Sequence, residues 1–150
     1  MRLRGLTPLL ALLCAGPALA GPDGAAVYKR CAACHLPTGA GVPGAYPKLG
    51  ANFQAHAASP AGRDYLVLVV SRGVTGPVTV EGKSYQGFMP AQTLDDESIA
   101  AVLNHIGASI AKPAPGFRPF SATEVAAARA AGAKLSAASV GKLRPQAVAR

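Results

Sequence analysis

The chain of 150 residues has no tryptophan, and only 5% of its residues are aromatic, so large rings cannot make up the bulk of its core. Acidic side chains are also few, 7 against 15 Lys and Arg, for a formal net charge of +8. A surplus of that sign is common among nucleic-acid binders. Here the basic residues are scattered and lack interleaved aromatics, which sets nucleic acid aside as a partner. Charged residues amount to 15%, and mean hydropathy is +0.26, values that exclude a disordered chain. Long hydrophobic runs are missing as well. Leu6–Leu13 and Tyr65–Val70 both fall short of the roughly 20 residues a bilayer demands. What is abundant is glycine, 17, and proline, 13, which leave room for one loop-rich domain with short helices.

The N-terminus has the three parts of an export signal. Arg2 and Arg4 precede the apolar stretch, and Ala18-Leu19-Ala20 supplies small residues for cleavage after Ala20. Residues 1–20 are therefore expected to leave, and the mature chain is expected to be soluble in the periplasm. A lipidated Cys14 is the alternative, although the bulky Leu12 and Leu13 before it suit such processing poorly. Loss of Arg2 and Arg4 leaves 13 basic and 7 acidic residues. Residues 21–112 are nearly neutral. Residues 113–150 carry Arg118, Arg129, Lys134, Lys142, Arg144 and Arg150 against Glu124 alone. Two readings of this basic tail stand side by side: a docking surface for an acidic partner, or a solvated helix that covers the domain.

Along the mature chain, Asp23 is placed to cap a helix that runs to His35. Leu36 to Pro60, rich in glycine and proline, reads as an ordered loop long enough to wrap a ligand. The run from Arg63 to Arg72 is expected to be helical, ended by Gly73. Val78-Thr79-Val80 and Lys83-Ser84-Tyr85 flank Glu81-Gly82 as a short hairpin. Thr93, three residues before Asp96, opens a helix with Ile99, Val102, Leu103 and Ile106 on one stripe, stopped by Gly107 or Lys112-Pro113. Pro113, Pro115 and Pro119 mark a linker. Ser121-Ala122-Thr123-Glu124 then opens an Ala-rich helix to about Gly132.

The chemistry sits in Cys31-Ala32-Ala33-Cys34-His35. Two thiols three positions apart on one helical turn can each add to a vinyl group of one porphyrin, and the adjacent imidazole then faces the iron. The competing readings are weaker. A redox dithiol lacks the alternating β/α pattern that would support it. A zinc site has only His56 and His105 left, at no zinc-like spacing. A disulfide across one helical turn would be strained.

From about residue 23 to 111 the chain resembles a small monohaem class I cytochrome c of the bacterial periplasm. The resemblance implies an all-α fold wrapped around one covalent haem c, with a short β-hairpin and a C-terminal helical extension. It implies His35 as proximal ligand, with Pro47 in Pro47-Lys48-Leu49 accepting the hydrogen bond of its ring. Gly24 and Tyr28 resemble the residues that pack the first helix on the last. Met89, in Gln86-Gly87-Phe88-Met89-Pro90, is the only methionine left after signal removal and stands where the family has its sixth ligand. His105 is then a packing residue and His56 a solvated loop residue. The missing tryptophan is a departure from many members. Tyr46, Asn52, Arg63 and Arg72 remain as equivalent candidates for the haem propionates. The implied function is one-electron transfer, not enzymatic catalysis, between redox protein partners: a periplasmic dehydrogenase as donor and an oxidase or reductase as acceptor. A dedicated electron-accepting subunit of a dehydrogenase complex is the alternative.

Overall fold

A computed structural model describes residues 21–145; residues 1–20, where an export signal is expected, and residues 146–150 lie outside them. Six helices and one hairpin follow in chain order: α1 Gly24–His35, α2 Ala51–Ala57, α3 Pro60–Arg72, β1 Val74–Val80, β2 Lys83–Met89, α4 Asp96–His105, α5 Ala122–Ala131 and α6 Ala137–Lys142.

Local chemistry explains most boundaries. Asp23 accepts the Ala25 N–H at 2.9 Å and starts α1, while Leu36, at φ 65°, ends it. Glu81 and Gly82 both take positive φ, 50° and 75°, which makes the two-residue turn whose twist matches the strands beside it. Ser121 caps α5 through the Glu124 N–H.

The main core lies where α1 crosses α4 and where α3, α4 and α5 pack on one another. Tyr28, Leu66, Val67, Ile99, Val102 and Leu103 are buried there. Gly24 sits at the crossing, where a Cβ would come within 2.9 Å of the His105 Cβ. The Tyr28 and His105 rings lie 5.5 Å apart. A smaller cluster of Tyr65, Leu68 and Val140 holds α6 against α3.

Several expectations need correction. The stretch from 36 to 60 is not all loop: beyond Gly50 it forms α2, because Ala51 to Ala58 lacks the glycine and proline that keep residues 36–50 irregular. Asp95, not Thr93, caps α4, accepting the Ser98 N–H at 2.7 Å. Gly107 does not stop the chain's helical path. A π-helical turn, Ile106–Ile110, follows α4, and Lys112 at φ 57° ends it. The hairpin spans seven residues per strand, so Met89 closes a strand. Gly76, Pro77 and Gly87 hide the outer halves, since these residues weaken any strand signal. Pro113 to Phe120 is not a free linker: Phe120 is buried, its N–H is accepted by Asn104 Oδ1 at 2.6 Å, and its carbonyl accepts from Asn104 Nδ2 at 3.0 Å.

Candidate functional site

A mostly apolar cavity of about 290 Å³, partly open to solvent, lies between the end of α1, the irregular chain at 45–49, α2, α3 and the hairpin. Cys31, Cys34, His35, Pro47 and Met89 all line it. Their meeting is built from three local devices.

The first is the last turn of α1. Cys31 and Cys34, spaced i, i+3, share one helix face, and both are free thiols. Burial raises the Cys31 thiol above its usual value, with neighbouring Arg30 working against that shift. His35 follows, 9% exposed, on the turn that Leu36 breaks.

The second device is the loop that returns to His35. Its Nδ1–H donates to the Pro47 carbonyl at 2.8 Å, which orients the ring and leaves Nε2 available. Burial lowers the imidazole's proton affinity, and the Pro47 bond partly offsets this, so the ring stays neutral and able to ligate. Gly41 makes the approach possible: at φ +64° it lies so close to Pro47 that a Cβ would meet the Pro47 carbonyl oxygen at 2.8 Å.

The third device is strand alternation. Val74, Gly76, Val78 and Val80 on β1, and Tyr85, Gly87 and Met89 on β2, share the sheet face toward the cavity. Met89 pairs with Val74 and Gly76 with Gly87, so the wall is smooth where two side chains are missing.

Other sequence candidates separate. Tyr46 and Asn52 line the cavity, whereas Arg63 and Arg72 do not. Arg63 is buried elsewhere. Its Nε and Nη2 engage Glu124, the latter at 2.7 Å, its Nη1 reaches the Arg118 carbonyl at 2.8 Å, and its guanidinium stacks on Phe120. His56 is not a solvated loop residue: it is 4% exposed on α2, edge-on to Tyr65 at 5.3 Å. Arg144, on the C-terminal segment, also lines the cavity; sequence reasoning misses it, since no local signal connects it with Asn52, 92 residues earlier.

Paired thiols on one helical turn, a tethered neutral imidazole and a mostly apolar cavity beside them suit a covalently bound c-type haem. The residues present fit such a group. The family model for cytochrome c matches residues 22–109, and the chain belongs to that family. It is 47% identical over 122 residues to a cytochrome c-552 of Thermus thermophilus, covering 79% of this chain and 82% of the relative. A second Thermus thermophilus cytochrome c-552 is 46% identical over 111 residues, covering 72% and 85%. Members of the family are electron-transfer proteins carrying haem c through the two cysteines of their attachment motif, here Cys31 and Cys34. Among the described residues no helix is long and apolar enough to cross a membrane.

Proposed function

We propose that the chain is a periplasmic one-electron carrier whose haem iron is held by His35 and Met89. When bound, the haem supplies a reversible one-electron couple. The observation that carries the reading is the placing of His35 and Met89 on the same cavity, one tethered by Pro47 and the other closing a strand that faces inward.

Each residue has a separable task. Cys31 and Cys34 hold the group by thioether bonds. His35, neutral and fixed through Nδ1, presents Nε2. Met89 offers a soft thioether that would favour ferrous iron. Val78, Val80, Tyr85, Leu66 and Val70 exclude water from the slot. At its mouth, Phe88 is 66% exposed and Tyr46 is 41% exposed, an apolar rim suited to transient docking of a redox protein. The export reading places this exchange in the periplasm, between a dehydrogenase-type donor and an oxidase or reductase acceptor.

Met89→Ala tests the ligand set. The variant is expected to have a lower reduction potential and, when reduced, to bind carbon monoxide, which the wild type is expected not to do. A variant with the wild-type spectrum, potential and closed iron would sink the His/Met assignment. An intact mass beginning at Gly21 supports export with cleavage after Ala20; a lipidated Cys14 would overturn it.

A further inference from the structure

The cavity is mostly apolar, and one polar corner of it is assembled from two distant parts of the chain. Asn52 and His56 stand four residues apart on α2 and therefore share one face, which lines the cavity. Arg144, just beyond α6, reaches the same place. Its Nη2 donates to Asn52 Oδ1 at 3.1 Å, and its guanidinium lies 5.9 Å from the Tyr65 ring centroid.

Two observations indicate that something is meant to sit there. His56 is 4% exposed, and its Nε2 has no hydrogen-bond partner, a costly state for a buried polar atom. Arg144 has no carboxylate partner among the described residues, whereas Arg118 and Arg129, on the same tail, pair with Glu124 and Asp96. A buried imidazole nitrogen without a partner, beside a cation without a carboxylate, is a seat for an anion when the imidazole proton is on that nitrogen. Burial, with Arg144 second, pushes His56 down to about 4, so at neutral pH the ring is uncharged and Arg144 supplies the positive charge. The anions brought into this cavity by covalent attachment at Cys31 and Cys34 are the two haem propionates.

We infer that Arg144, Asn52 and His56 form the seat of one haem propionate, the C-terminal segment supplying its cation. The inference rests on the covalent haem and does not require Met89 as ligand. The cavity's other charged lining groups are Arg30 and Lys48, and its other phenols are Tyr46 and Tyr85. None of these hydrogen-bonds to the α2 face. Tyr65 closes the corner from α3. The tail is thus part of the cofactor site as well as a cover for the domain.

The test uses the full-length holoprotein with its propionate carboxyl carbons labelled with carbon-13, titrated by NMR in each redox state. The wild type is expected to hold one carboxyl at a clearly lower midpoint than the other. Arg144→Gln raises that midpoint by at least about one pH unit, a tenfold change in proton affinity, as removal of an adjacent opposite charge does. Arg144→Lys restores part of the difference. His56→Leu, which leaves the tail untouched, moves the same carboxyl in the same direction. Lys142→Gln, an exposed cation two residues away, leaves it in place. Unchanged midpoints in both Arg144→Gln and His56→Leu with haem still attached would overturn the seat, and so would an equal response to Lys142→Gln. Absorption spectra taken alongside report the axial ligands, so failure of the Met89 assignment is read separately from failure of the seat.

Discussion

The part of the chain that surrounds the cavity, residues 21–112, and the tail that backs it, residues 113–145, both bury apolar side chains, but by different means. In the first part the α1–α4 crossing holds the core, and short-range devices set the site: an attachment motif on one turn, a proline carbonyl 12 residues from its histidine, and a hairpin with a two-residue turn. The tail has few anchors. Phe120, Val125, Ala128 and Val140 are buried, and the only acid of the tail, Glu124, clasps the buried Arg63 of α3. Arg129 is tied to Asp96 of α4. Much of what looks in the sequence like a free basic surface is therefore engaged in intramolecular contacts. The covering reading of the tail describes these contacts better than the docking reading does.

The largest effect expected breaks the first region alone. Cys31→Ala with Cys34→Ala removes both thioether sites, and all haem should leave the chain in acidified organic solvent; either single variant keeps one bond and a weakened attachment. Because the haem fills the middle of a domain with few aromatics, the double variant is expected to be poorly folded, as far-ultraviolet circular dichroism would report. Haem retained on the double variant would refute covalent attachment at these residues.

Truncation after Pro113 breaks the second region alone. Burying a Val or Phe is worth about 1.5–3 kcal/mol, so losing Phe120, Val125 and Val140 removes several kcal/mol, a large share of a typical domain's stability. Haem stays attached, because both cysteines remain. Electron exchange with the native partner by the folded fraction is expected to keep its rate and salt dependence. A rate that falls and no longer depends on salt would restore the docking role.

Glu124→Gln narrows the question to one contact. Arg63 is left buried with its carbonyl partners but no counter-charge, at a cost of roughly 3 kcal/mol in chemical denaturation. The pH dependence has a definite sign. Hydrogen bonds from Arg63 hold the Glu124 carboxyl below its ordinary value. Its contribution is therefore complete above the ordinary carboxylate range and is lost as pH falls through the lowered value. The variant should lack that acid-dependent part. An identical acid profile in both proteins would show that the clasp contributes nothing.

Gly41→Ala is the smallest change and returns to the cavity. Positive φ costs an alanine about 1–2 kcal/mol, and the new methyl displaces the Pro47 carbonyl. A looser Nδ1–H bond makes the His35 ring a weaker donor to iron, so the reduction potential should rise modestly and the proton NMR signal of that N–H should move. No change in either would mean that the loop adjusts without moving Pro47.

Some of this is legible without coordinates, and the reason is range. Asp23 as a cap, the Glu81-Gly82 turn and the cysteine and histidine spacing each act within a few residues, where φ/ψ preferences and helical periodicity are read directly from residue type. Met89 is locatable in the chain, but the extent of its strand is not, because Gly76, Pro77 and Gly87 carry no strand propensity and are recruited by pairing. His56 looks in the sequence like a solvated loop residue, since its burial depends on α3 packing across it. Arg63 stands in the sequence among candidates for an anion that it does not meet; its partner is 61 residues away.

By itself, then, the sequence determined the attachment motif and the approximate places of α1, α3, the hairpin turn, α4 and α5, all consequences of spacing along a helix or turn, but neither α2 nor α6. Only the tertiary structure decided which cations face inward. Arg63 goes to Glu124 and Arg144 to Asn52, because an ion pair or a buried donor is selected by which chain segments pack together, and side chains of one type look alike until a neighbour excludes water from one of them.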